Sequence, residues 1–214
     1  MTPKKIFSFL LAAIIISISF SESSCRARKK PNYIHGGCCV ASGSLVMMGD
    51  GSTKLIENLK VHDTIMGFDR VKNIFVPSVV GAIFSTEHEG FVMLGFGTLY
   101  RADGKMVSPG TVLTLTQDHP LWMNGKGWCS AAPDMTKRIQ GMSNVVKYTQ
   151  GDFGYTFPID SAEHYHKIQL TTIKPVKGII KAYTVVSLQN KLDCFVVNGI
   201  VVGVEPRSME QGGD

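Results

Sequence analysis

Residues 39–69, CVASGSLVMMGDGSTKLIENLKVHDTIMGFD, decide how the rest of the chain is read. A cysteine opens the stretch, and the apolar run Leu45-Val46-Met47-Met48 follows it. Gly49-Asp50-Gly51 breaks that run; glycine beside aspartate suits the turn of a tight hairpin. Leu55, Ile56 and Leu59 bring the chain back, and Val61-His62-Asp63 turns it into a third strand over residues 64–68. The pattern predicts a β-meander with a thiol at its mouth.

Downstream, short apolar runs alternate with turns. Ile74, Phe75, Val76 and residues 79–84 make a long run, and residues 91–96 make another. Residues 111–116 alternate threonine with valine and leucine, the period of a strand with one buried face. Ala102-Asp103-Gly104-Lys105 reads as a hairpin turn, and residues 151–155 as a loop. Residues 167–172 and 177–188 resume β character. Asn198-Gly199 between two apolar runs is the strongest short hairpin signal in the chain. No long amphipathic helix is evident, and 22 glycines among short runs predict an all-β fold. The folded domain is expected over residues 39–204, with a disordered polar tail over 205–214.

The net charge of +5 is unevenly placed. Six basic residues and one acidic residue, Glu22, lie in residues 1–38, so the chain from Cys39 onward is neutral. A neutral globular part has no net attraction for a polyanion, and nucleic acid is not an expected partner. Residues 1–24 read as a secretory signal peptide. Lys4 and Lys5 precede the apolar stretch from Ile6 to Phe20, and Ser21, Ser23 and Ser24 offer small residues for cleavage. That stretch is shorter than the roughly 20 residues of a membrane span. A secreted, oxidising setting follows. The five cysteines are an odd number, so at least one lacks an intramolecular partner. Residues 25–38, CRARKKPNYIHGGC, read as a short basic peptide ahead of the domain.

Three blocks carry chemistry. The first is Cys39 with Ser44, Gly51, Ile56, Leu59 and Asp63. The second is Thr116-Gln117-Asp118-His119-Pro120, continued by Asn124-Gly125-Lys126-Gly127-Trp128. The third is residues 182–188 followed by Asp193-Cys194-Phe195-Val196-Val197-Asn198-Gly199-Ile200. In this order and spacing they resemble the Hint domains shared by Hedgehog C-terminal domains and inteins, over about residues 39–204. His62 stands where the family usually has glycine. The resemblance implies the Hint fold, a disk of curved antiparallel strands, and single-turnover self-cleavage at Cys38–Cys39 through an internal thioester.

The roles implied by the resemblance make chemical sense. A thiol can attack the carbonyl just upstream of itself, and the intramolecular setting raises its effective concentration. Cys39 is the nucleophile, because it and not Cys38 puts Ser44 and Gly51 in register. The departing amine needs a proton and the oxyanion needs a donor; His119 is the candidate for the proton transfer. Thr116 would hold the scissile amide. Cys194 resembles a Hedgehog cysteine near the nucleophile, and a Cys39–Cys194 disulfide would need Cα atoms within about 7 Å. Cys129, in a turn after Trp128, reads as packing. Glu163-His164-Tyr165-His166 is a weak metal pattern.

Departures from the family narrow the expectation. Gly203 and Val204 replace the terminal His-Asn of inteins, so splicing is not expected. Phe84 or Ser85 stands where Hedgehog proteins have the aspartate that activates cholesterol, and few residues follow Val204. No cofactor is expected. The substrate is the chain's own N-terminal segment, in a monomer, and water or a small nucleophile is the acyl acceptor. The alternatives are a secreted Hint-like β-domain without activity, Hedgehog-type sterol transfer, or a basic peptide precursor cut by a host protease between Arg26 and Lys30.

Overall fold

The computed structural model describes residues 38–100, 106–139, 141–157 and 165–205. The signal peptide, the basic segment up to residue 37, the turn at 102–105, the Glu163–His164 pair and the tail beyond Glu205 lie outside these residues.

The chain runs as β1 (Val40–Ala41), β2 (Leu45–Met47), β3 (Thr53–Leu55), a 3-10 turn (Ile56–Asn58), β4 (Thr64–Asp69), β5 (Ile74–His88) and β6 (Phe91–Phe96). Then come β7 (Leu99–Tyr100), β8 (Met106–Ser108), β9 (Thr111–Thr116), β10 (Leu121–Met123), β11 (Gly127–Ser130) and the single helical turn α1 (Pro133–Thr136). The last strands are β12 (Val146–Lys147), β13 (Phe153–Thr156), β14 (His166–Val176), β15 (Ile180–Leu188), β16 (Cys194–Val197) and β17 (Ile200–Gly203). The all-β reading is correct. Among the described residues, fifteen strands join into one sheet, and β7 pairs with β8.

The turns form where the residue chemistry puts them. Gly51 takes φ +84°, and β2 pairs with β3 across it. Asn198 and Gly199 both take positive φ, as a two-residue hairpin of this type requires, and β16 pairs with β17. His62 takes φ +74°. This left-handed backbone explains why related domains prefer glycine there.

Two long strands turn the sheet back on itself. The first half of β5 pairs with β4, and its second half with β15. β14 does the same, pairing first with β13 and then with β6. Short β1 is held between β9 and β15, Val40 facing both Leu115 and Tyr183. β16 and β17 are buried at every residue, and Phe195, Val197, Ile200 and Val202 join Leu94, Leu113, Leu115 and Leu121 in the main core.

Two sequence readings need correcting here. Phe153, Gly154 and Tyr155 form strand β13, not a loop. Gly154 pairs with Met123, and a Cβ on it would lie 3.3 Å from the Phe96 ring, so this glycine marks a close approach rather than a turn. Glu205, placed in the tail, is buried, and its N–H donates to the Val185 carbonyl.

Candidate functional site

β1 delivers the Cys38–Cys39 bond into the centre of the sheet. Cys39 is fully buried beside Ala41, Phe91 and Ala182. Its N–H, the nitrogen of that bond, donates to Thr116 Oγ1 at 3.1 Å. The Thr116 N–H donates back to the Cys39 carbonyl at 2.9 Å. Thr116, at the end of β9, therefore holds Cys39 from both sides. The backbone then turns tightly, because the His119 N–H bonds the Thr116 carbonyl. This turn points Asp118 and His119 inward, each only 1% exposed.

The His119 ring carries no completed hydrogen bond at either nitrogen. Burial pushes its pKa down to about 4, while backbone groups of Cys38 and Gly203 act against that shift. The ring is therefore neutral at pH 7 and lies near the backbones of Cys38 and Gly203.

Two further residues belong to the site and were not singled out from sequence. Thr184 Oγ1, on β15, lies 3.0 Å from Cys39 Sγ. Nothing in the sequence marked it, because Tyr183 and Ser187 on the same strand also carry hydroxyls. Asp118 sits inside the Thr116–His119 block. Neither of its carboxyl oxygens completes a hydrogen bond, and burial raises its pKa, opposed by the Thr116 hydroxyl and the charge of His88. The Thr116 oxygen accepts from Cys39, and its hydroxyl also bears on the Asp118 carboxyl. Burial thus shifts Asp118 and His119 in opposite directions, each toward its uncharged form.

Cys194 packs in a different buried cluster from Cys39, with Met66, Phe68, Tyr155, Val196 and Val201, and burial first, then Asp193, holds its thiol protonated well above the usual range. It pairs across the sheet with Gly203, and no disulfide joins it to Cys39. Cys129 is buried in the main core, in keeping with a packing role.

Gly203 stands against the His119–Pro120 turn. A Cβ there would lie 2.7 Å from Pro120 Cγ, 3.0 Å from the Pro120 carbonyl and 3.1 Å from the Trp128 ring. The Gly203 N–H also bonds that carbonyl. We expect Gly203→Ala to destabilise the fold by about 1–3 kcal/mol through overpacking, read as a lowered urea midpoint with unchanged slope. An unshifted midpoint would mean the turn yields easily.

No protein-family model matches the chain, and no curated protein matches it in sequence. Solved structures do match in fold. A bacterial intein-like domain from Clostridium thermocellum shares 16% identity, with 78% of this chain and 99% of that one covered, at a TM-score of 0.58. The Ssp DnaB mini-intein variant M86 shares 14% identity, with 81% and 98% covered, at 0.58. The DnaX mini intein from Spirulina platensis shares 15%, with 77% and 98% covered, at 0.56. Strand architecture and these likenesses agree: the described residues have a Hint-like fold, that of the inteins.

Proposed function

We propose that this domain cleaves its own Cys38–Cys39 bond by an N-to-S acyl shift. Cys39 Sγ gives up its proton and attacks the Cys38 carbonyl carbon. A C–S bond forms, and the negative charge moves to the carbonyl oxygen. In this reading the neutral His119 N–H donates to that oxygen. The C–N bond then breaks, and the Cys39 nitrogen takes a proton, so the proton lost at sulfur balances the one gained at nitrogen. Thr116 is hydrogen-bonded to that nitrogen, and the buried Asp118 carboxyl acts through Thr116 as a positioning residue. Water or a small thiol then attacks the thioester, regenerating the Cys39 thiol and releasing the segment that ends at Cys38.

The observation that carries this reading is the 3.1 Å hydrogen bond from the Cys39 N–H, the nitrogen of the scissile bond, to Thr116 Oγ1. The reaction is intramolecular, so one chain suffices. In the same reading, residues 1–24 direct the chain to the secretory pathway and the basic segment up to Cys38 is the product. Splicing is not part of it, because Gly203 and Val204 offer no side-chain amide to cyclise.

The test is the intact mass of the purified chain, with and without dithiothreitol. We expect two fragments, one ending at Cys38 and one beginning at Cys39. Full-length protein after prolonged incubation points instead to a Hint-like domain without activity. The mass of the N-terminal product made without added thiol identifies the acceptor, a free carboxylate being expected.

A further inference from the structure

Forming the thioester makes no use of Glu205, yet this residue is only 4% exposed and its Oε2 is shut off from solvent. Burying a carboxyl group is costly, so its place in the fold calls for a reason.

The backbone ladder says where it sits. One edge of β15 faces β1. Along that edge the Lys181 carbonyl accepts the Ser42 N–H at 2.9 Å, and Tyr183 pairs with Val40. Alternate residues of an antiparallel strand turn their backbone groups to the same neighbour. Val185, two residues beyond Tyr183, therefore turns its carbonyl to this edge as well. Continuing the register puts it opposite Cys38. The Val185 carbonyl accepts the Glu205 N–H instead, at 3.1 Å. The chain leaving β17 thus takes the slot into which β1 would continue, beside the Cys38–Cys39 bond. A strand rises roughly 3.3 Å per residue, so this slot lies about 7 Å along β15 from that of Val40, with Cys39 between them. Thr184, between the two slots on β15, reaches Cys39 Sγ at 3.0 Å. Val204 fixes the approach: its N–H bonds the Asp193 carbonyl at 2.8 Å, and it shares the main core with Val40 and Val185.

Cys38 and Cys39 are shielded from bulk solvent. Water is a weak nucleophile, and a thioester held there needs a base beside it to be hydrolysed. Resting on the self-cleavage reading, we propose that Glu205 is the general base that resolves the thioester with water. The water oxygen bonds to the Cys38 carbonyl carbon as one of its protons passes to the Glu205 carboxylate. The C–S bond to Cys39 breaks, and the departing sulfur takes that proton back from Glu205. The segment ending at Cys38 leaves as a carboxylic acid, the Cys39 thiol returns, and the carboxylate is restored. Glu205 serves this second step alone; thioester formation proceeds without it.

The experiment separates the two steps in the full chain. Cleavage induced by dithiothreitol reads thioester formation, and cleavage without added thiol reads hydrolysis. Glu205→Gln keeps the size of the side chain and removes the base. Its hydrolysis should be slower by roughly a hundredfold or more, the scale of general-base catalysis. Its dithiothreitol-induced cleavage should keep the native rate, and a thioester-linked chain should accumulate. Glu205→Ala leaves room for a small carboxylate, and added formate should restore its hydrolysis with thermal unfolding unchanged. Native hydrolysis in Glu205→Gln overturns the proposal. So does equal slowing of both rates, a folded Glu205→Ala protein that ignores formate, or loss of the fold in both variants, each of which leaves Glu205 a structural role only. A native chain cut by dithiothreitol but not by water overturns it too. Failure of the native chain to cleave under either condition is a separate result that overturns the self-cleavage reading itself.

Discussion

Cys39→Ala should leave the Cys38–Cys39 bond uncut under dithiothreitol, whereas Cys38→Ala and Cys194→Ala should still cleave. The Cys39 sulfur belongs to the residue on the nitrogen side of the reacting peptide. It can add to the neighbouring carbonyl without a second molecule, and such arrangements reach effective concentrations of about 10⁵–10⁸ M. Dithiothreitol acts on a thioester, not on an amide, so without the Cys39 thiol there is nothing for it to intercept. Cys38 Sγ lies toward the Asp118 carbonyl in its own enclosure, and alanine there removes a contact rather than the nucleophile. Cys194 packs in a different cluster from Cys39, so its loss should affect stability more than cleavage. Fragment masses from the three variants check this. Cleavage by Cys39→Ala with none by Cys38→Ala would shift the register by one residue. Loss of cleavage in a folded Cys194→Ala protein would restore Cys194 to the site.

His119→Ala should slow thioester formation by roughly a hundred- to a thousandfold, the loss usual for one oxyanion donor. Single-turnover rates at several pH values check the assignment. Because burial holds the pKa near about 4, His119 itself should put no inflection in the rate between pH 6 and 8. The same shift predicts a stability effect. An unfolded histidine binds a proton below pH 6.5, whereas the folded one resists it until about pH 4. The unfolded state therefore binds more protons in that window. The stabilising contribution is complete above pH 6.5 and is lost as pH falls toward 4, in total roughly 3 kcal/mol. Asp118 works in the opposite sense. Its raised pKa lets the folded state keep a proton that the unfolded carboxyl has lost, so its contribution is present at low pH and lost as pH rises through the folded value. Urea unfolding from pH 7 to 4 should show His119→Gln with a shallower acid loss and Asp118→Asn with a steeper one. Parallel curves for both variants would mean that neither group is as dry as the structure places it.

The local turns and the all-β class were determined by the sequence alone. Gly51, Asn198 and Gly199 take the positive φ that their hairpins demand, and β6 spans the apolar run at 91–96. Turn residues act on the backbone over a few positions, which composition and spacing record directly. Cys39, Thr116 and His119 came instead from the resemblance to the Hint domains, and spacing alone only allowed them.

Contacts between distant strands were decided only by the tertiary structure. Thr184 meets Cys39 across 145 residues of chain, because β1 is inserted beside β15. The enclosure of Cys38 needs Trp128 from β11 and Ile139, Met142 and Val145 from the segment after α1, none of which the sequence marks as its neighbour. Asp118 and His119 acquire their opposite pKa shifts from burial, which packing alone produces. The buried strand β16 seats Cys194 among Met66, Phe68 and Tyr155, neighbours its motif did not reveal. Turn residues choose local geometry wherever they occur, but which side chains share a buried space depends on the order of strands in the sheet, and that order is settled only when the whole core closes.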